Sequence, residues 1–174
     1  MNLAIGKSIE IDVYVDCDYE GNLSQFERAQ ILTICWQDWF QNWLDLLSAQ
    51  SSLTQNCELS LKLTSDRQMQ HYNRQYRRLD RTTDVLAFAA TESELALPVE
   101  LLEPLYLGDI IISLDTARKQ AIEQKHSLEL ELAWLSSHAL LHLLGWDHPD
   151  DENLRRMLDR QSELIQSLNT FEIE

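Results

Sequence analysis

His138 and His142 stand four residues apart in the segment SSHALLHLLGWDHPDD, and His148 follows six residues further on. The leucines and the tryptophan around the first two fall at helical spacing. Residues four apart project from one helical face, so both imidazoles reach a single ion. Gly145, three positions after His142, predicts a left-handed helix end from which the chain turns back and delivers His148 from a loop. Three neutral imidazoles around zinc leave one tetrahedral position for water, the arrangement of catalytic rather than structural sites. A cation held in this way lowers the pKa of bound water towards about 7 and polarises a phosphoryl or carbonyl oxygen. The nearby acids Asp147, Asp150 and Asp151 are the expected acceptors for the outer ring N–H of a ligand histidine, which would fix its tautomer. His71 and His126 have no comparable company and are read as structural.

The spacing H-x3-H-x2-G-x2-H is also that of a metzincin peptidase, which needs a glutamate directly after the first histidine as general base. Ala139 stands there instead and moves no proton. The basic residues point to a different substrate. Of the 14 Lys and Arg in a chain of net charge −15, Arg67, Arg74, Arg77, Arg78 and Arg81 cluster together, and Asp66 and Asp80 are the only acids between positions 66 and 81. Arg74 and Arg78 are four apart on a predicted helix, Arg67 and Arg74 seven apart, and Arg77 lies beside this stripe. Guanidinium groups bind phosphates bidentately and offset the charge that develops when a phosphodiester is attacked. Metal-assisted phosphodiester cleavage is the chemistry expected, with the group Arg74, Arg77, Arg78 and Arg81 as the source of the phosphate contacts.

Elements able to position these groups are legible along the chain. Ile9, Ile11, Val13 and Val15 alternate with polar residues as in a half-buried strand. A helix is predicted from Ser24, with Glu27 completing a capping box, to about Leu47. Its aromatic residues Phe26, Trp36, Trp39, Phe40 and Trp43 suggest a buried face. CELSLKL at 57–63 reads as a strand, followed by a helix capped by Thr64 or Ser65 and running to about Arg78. TDVLAFAA at 83–90 reads as a mostly buried strand, 91–106 with Pro98 and Pro104 as a surface excursion, and Gly108 as the opening of a strand over Asp109 to Ser113. Helices are predicted over Asp115 to His126, Ser127 to about Leu144 and Asp150 to about Leu168. The fold class expected is α+β: one compact domain over 1–174, with a small mixed sheet of about four strands covered by helices and the metal site on a C-terminal helix and its following turn.

Composition limits the alternatives. With 44% hydrophobic and 25% charged residues the chain is neither disordered nor a membrane protein. Cys17, Cys35 and Cys57 are an odd, widely spaced set, which argues for reduced thiols rather than a disulfide framework or a cysteine zinc site. The stretch MNLAIGKSIEIDVYVD shows none of the features of a secretory signal, and no apolar run is long enough to span a bilayer. A cytoplasmic location is expected.

With these residues in hand, the chain resembles the YbeY family of bacterial endoribonucleases, also called rRNA maturation factors. His138, Leu141, His142, Leu143, Leu144, Gly145, Asp147 and His148 fit its H-G-x-L-H-L-x-G-Y-D-H motif, and Leu107 to Ile110 fit L-G-D-I. Asn73, Tyr76 and Arg77 fit N-x-x-Y-R, and Thr83, Asp84, Val85, Leu86 and Phe88 fit T-D-V-L-S-F. The chain departs from the pattern at Ala139 for glycine, Ala87 for serine and Trp146 for tyrosine. The resemblance implies one Zn2+ bound by His138, His142 and His148, with Arg77 important for activity. It further implies a single-strand-directed endoribonuclease acting in 16S rRNA 3′ end maturation and ribosome quality control, with ribosomal RNA precursor and small-subunit proteins as partners. Two other readings compete: a non-catalytic zinc-containing ribosome assembly factor, and a zinc peptidase.

Overall fold

Four strands and six α-helices form among residues 9–48, 53–92 and 104–168, the part of the chain that the computed structural model describes. In order these are β1 (Ile11–Cys17), α1 (Gln25–Thr33), α2 (Trp36–Ser48), β2 (Cys57–Thr64), α3 (Asp66–Arg77) and β3 (Val85–Ala89). A single 3-10 turn at Ala90–Glu92 precedes β4 (Leu105–Ser113), α4 (Leu114–Gln124), α5 (Leu128–Leu143) and α6 (Asp151–Ser167). The sheet order is β1-β2-β4-β3. β1, β2 and β4 run parallel and β3 pairs antiparallel at the edge, which makes the sheet mixed, as expected.

Period-two alternation divides the two faces of this sheet. Cys57, Leu59, Leu61 and Leu63 of β2 and Ile110 and Ile112 of β4 enter the main core with α2, α5 and α6. Ile111 points the other way and joins Met69 of α3 and Leu86 of β3 in a small second cluster. α5 is apolar on nearly every side, with Leu132, Ala133, Ala139, Leu140 and Leu141 all fully buried, as befits a central helix. Trp43 of α2 donates its indole N–H to the Leu164 carbonyl of α6 at 2.9 Å and ties the outer helices together. The free edge of β1 is covered by side chains: Gln41 accepts from Ile11 N–H at 3.1 Å and donates to the Ile9 carbonyl at 2.9 Å, and Gln37 accepts from Val13 N–H at 3.1 Å. An edge satisfied in this way offers no template for pairing with another chain.

Several sequence expectations are corrected. The helix predicted over Ser24 to Leu47 is two helices, broken where Ile34 adopts φ −66° and ψ 120°. The run Ile31-Leu32-Thr33-Ile34 is rich in β-branched residues that hold a helix poorly, and the break lets Ile34 itself enter the core. The capping box of Ser24 and Glu27 does form, but α1 buries no side chain and Phe26 is 70% exposed, so the aromatic face belongs to α2 alone. β4 begins at Leu105 rather than after Gly108, because the chain pairs with β2 on both sides of an irregularity opposite Glu58 and Leu59. Gly108 sits inside the strand at φ +136°, where a Cβ would collide with the Phe88 carbonyl of β3. β3, expected to be mostly buried, buries only Leu86, because it is an edge strand. Of the excursion predicted at 91–106, residues 93–103 lie outside the described residues and the final two belong to β4.

Candidate metal centre

His138 and His142 project from α5 towards the edge strand β3, and the helix end delivers the third histidine. α5 closes with a Schellman turn: Trp146 N–H donates to the Leu141 carbonyl and Gly145 N–H to the His142 carbonyl, each at 3.0 Å. Gly145 takes φ +86°, the left-handed conformation that this turn requires and that glycine adopts without strain. The ligand atoms of His138, His142 and His148 all lie within 4.8 Å of one another. No fourth His, Cys, Asp or Glu joins this group among the described residues.

The donor set fits a divalent cation. The Nε2 atoms of His138 and His142 are 3.1 Å apart, close to the roughly 3.3 Å edge of a tetrahedron with metal–nitrogen bonds of about 2.0–2.1 Å. Gln161 of α6, fully buried, donates its amide N–H to the Trp134 carbonyl at 2.7 Å and turns its Oε1 to His138 Nδ1 at 3.3 Å. That bond keeps the proton on Nδ1 and leaves the Nε2 lone pair for an ion. Burial is the main cause that holds His138 below the usual histidine range, reinforced by His142 and opposed by the Gln161 bond. His142 is lowered first by burial and then by His148, with Arg77 adding to the effect and a hydrogen bond to the Trp146 backbone opposing it. Both rings are therefore neutral near pH 7, the form that ligates metal.

A cavity of about 530 Å³ opens over the histidines, lined by Arg77 at the end of α3, Asp84 and Ala87 at β3, and His138, His142 and Trp146. Arg77 donates from Nη2 to the Ala87 carbonyl at 2.8 Å and lies 5.3 Å from the centroid of the Phe88 ring. Because the carbonyl is the acceptor, alanine at position 87 serves as well as serine would for this anchor. Buried Asn73 donates to the Arg81 carbonyl at 2.8 Å and fixes the loop from α3 to β3. Ala139 is fully buried at the cavity and places no carboxylate beside the first histidine.

The YbeY family, described as Endoribonuclease YbeY, has a sequence model that matches residues 23–169. The chain belongs to the YbeY family. It is 46% identical over 166 residues to the Endoribonuclease YbeY of Nostoc sp., covering 92% of this chain and 90% of that one. Identity is 48% over 172 residues to the YbeY of Acaryochloris marina, covering 92% and 97% of the two chains. It is 51% over 160 residues to that of Synechococcus sp. strain JA-2-3B'a(2-13), covering 91% and 93%. A solution structure from Thermotoga maritima shares the fold at a TM-score of 0.55 and 22% identity, covering 90% of this chain and 89% of that one.

The structure does not gather every expected YbeY site residue around the histidines. Arg74 lines a separate groove with Arg67, His71 and Asp80. Arg78 caps α3 in the left-handed conformation at φ 59°, and neither Arg78 nor Arg81 is among the residues lining the histidine cavity. The acids expected to orient the ligand histidines are otherwise engaged. Asp147 accepts the His148 backbone N–H at 2.8 Å, Asp150 caps α6 by accepting from Asn153 N–H at 2.8 Å, and Asp151 opens that helix. Gln161 takes their place at His138, and it escaped the sequence reading. It was detectable as a polar residue on the apolar stripe of α6, between Met157 and the pair Leu164 and Ile165. Asp84 was quoted only as part of a motif, yet it lines the cavity with its carboxylate held by Val85 N–H at 2.8 Å and Gln120 at 3.0 Å. Trp146 packs against the main core. The thiols of Cys17, Cys35 and Cys57 are all free, and burial pushes that of Cys57 up to about 11. None of the described helices is long and apolar enough to cross a membrane.

Proposed function

We propose that this chain is a zinc-dependent endoribonuclease that cleaves single-stranded RNA in the cytoplasm, acting on precursor ribosomal RNA at the 16S 3′ end and in ribosome quality control. One observation carries the chemical part of the reading. The ligand atoms of three imidazoles lie within 4.8 Å of one another, and two of those rings, His138 and His142, line a cavity that Arg77 also lines. Family membership supports the choice of RNA, because the relatives named above carry the name endoribonuclease. The ribosomal substrate and small-subunit protein partners are supported by the family resemblance.

A zinc ion held by His138, His142 and His148 supplies a Lewis acid and lowers the pKa of a water to about 7. Gln161 orients the His138 ring so that its lone pair faces the ion site. Arg77, anchored through Nη2 on the Ala87 carbonyl, keeps its remaining N–H groups for the scissile phosphate and offsets the charge that builds on it. Asp84, fixed by Val85 and Gln120 on the same cavity, accepts the proton released by the attacking oxygen. Arg74, Arg78 and Arg81 contribute phosphate contacts further along the strand.

The test is cleavage of a single-stranded RNA by zinc-loaded protein beside Arg77→Ala and His142→Ala. Loss of one transition-state donor costs roughly 100- to 1000-fold in rate, so cleavage by Arg77→Ala falls by that amount and cleavage by His142→Ala disappears. Equal cleavage in all three preparations identifies a contaminating nuclease and refutes the assignment. End-group analysis separates two routes within it, since a 2′,3′-cyclic phosphate product shows attack by the ribose 2′-hydroxyl rather than by water.

A further inference from the structure

The face of the sheet opposite the main core is only partly covered. α3 packs Met69 over Leu86 and Ile111, but the strand register leaves Tyr14, Ser60 and Asp109 in one row beyond it and Asp16 and Lys62 in the next. The open part is a groove of about 1070 Å³ whose wall on the α3 side is aromatic. Tyr72 and Tyr76, four residues apart on α3, stack with ring centroids 6.4 Å apart and planes 20° apart. Phe88 of β3 meets Tyr76 edge-on at 5.3 Å. Tyr76 is 57% exposed, an unusual position for a tyrosine that already has two aromatic neighbours.

Two observations say what this groove takes. First, it is continuous with the histidine cavity: Arg77, Ala89 and Glu92 line both. A strand whose phosphate sits on Arg77 therefore has its neighbouring nucleotide at the mouth of the groove. Second, the floor is unsuited to phosphate. Lys62, its one lysine, is already paired with Asp16 at 2.6 Å and Asp18 at 2.9 Å, and Asp109 and Glu92 add negative charge. Such a surface rejects the backbone and accepts the uncharged base, whose π-face stacks on an aromatic ring whatever its identity.

Resting on the nuclease reading, we infer that Tyr72, Tyr76 and Phe88 form a base-stacking subsite for the unpaired nucleotides of single-stranded RNA adjoining the phosphate held by Arg77. The subsite also accounts for strand selectivity. Bases in a duplex are stacked on one another and enter the groove only after unpairing, which costs a few kcal/mol for each flipped base. The dependence on a ring rather than on a hydroxyl separates this role from a hydrogen-bonding one.

The experiment uses the zinc-loaded protein and an unstructured RNA oligonucleotide carrying 2-aminopurine, whose fluorescence is quenched on stacking. Wild-type protein quenches it, Tyr76→Ala does not, and KM for cleavage rises roughly 5- to 150-fold in that variant, the range for loss of one base–aromatic stack. Tyr76→Trp restores both the quenching and KM. A Tyr76→Ala variant that quenches and cleaves like wild type overturns the subsite while leaving the nuclease reading intact. Wild-type protein that leaves the fluorescence unchanged also overturns it, the groove then being filled by something other than RNA. Quenching by wild type with no cleavage supports the subsite and refutes the nuclease reading instead.

Discussion

Gln161→Leu isolates the contribution of the side chain behind the metal centre. Gln161 is fully buried, so a leucine of similar bulk replaces its volume without opening a large void. The Trp134 carbonyl that it serves also accepts from the Ser137 hydroxyl at 3.0 Å and is not orphaned. The loss therefore falls on His138 Nδ1, left as an unsatisfied donor, which costs about 1–3 kcal/mol. The ring then has no reason to keep its proton on Nδ1 rather than on the nitrogen facing the ion. Partners of this kind contribute roughly 10- to 100-fold to metal affinity. The 3.3 Å separation is towards the long end for such a bond, so a loss of about tenfold, or roughly 1.4 kcal/mol, is expected. Zinc affinity measured by competition with a calibrated chelator gives the value directly. Gln161→Glu retains the acceptor and raises the basicity of the ring, so its affinity equals or exceeds that of wild type. A leucine variant that binds zinc within twofold of wild type refutes the orienting role.

Two glycines test the backbone of the fold and separate strain from collision. Gly145→Ala meets no atom within 4 Å but must hold φ +86°, so thermal unfolding reports a loss of about 1–2 kcal/mol, together with weaker zinc binding because this turn delivers His148. Gly108→Ala must hold φ +136° and also drive its Cβ into the Phe88 carbonyl, so it is the more damaging of the two and separates β3 from β4; equal melting temperatures for the two variants contradict this. Glu27 predicts a pH dependence at the other end of the chain. Burial raises its carboxyl, but hydrogen bonds from Ser24 and from Arg118, whose Nε is 2.5 Å away, outweigh this and hold it below its ordinary 4.5. Its folded pKa is depressed, so its stabilisation is present above 4.5 and is lost as pH falls through the folded value. Glu27→Gln should cost about 1 kcal/mol at neutral pH and progressively less on acidification below that range, as read by urea unfolding; a cost independent of pH contradicts the assignment.

The convergence of the three histidines was legible because their geometry is local. Two histidines on adjacent turns of one helix and a glycine at its end fix the site within eleven residues, and the Schellman turn needs nothing from elsewhere in the fold. Arg77 was legible as a cation near a helix end, but its place beside the histidines depends on how β3 pairs with β4, which no local pattern states. Arg74, Arg78 and Arg81 looked equivalent to it in sequence, and only the rotation of α3 and the turn after it distinguish them. The acids flanking His148 are near it along the chain, whereas Gln161 reaches His138 across a helix packing. The long helix from Ser24 was misread because the capping box and the aromatic spacing are each correct, but for two different helices, with the break at Ile34 set by core packing. The aromatic groove was invisible as a site because Phe88 joins Tyr72 and Tyr76 of α3 only through the tertiary fold.

X-ray absorption at the zinc edge of the purified protein tests the central claim most directly. Three imidazole nitrogens at about 2.0–2.1 Å and one oxygen from solvent, with no sulfur and one zinc per chain, are the predicted result. A sulfur scatterer, four protein ligands, or a protein that does not retain zinc at all would contradict the account of an open three-histidine centre.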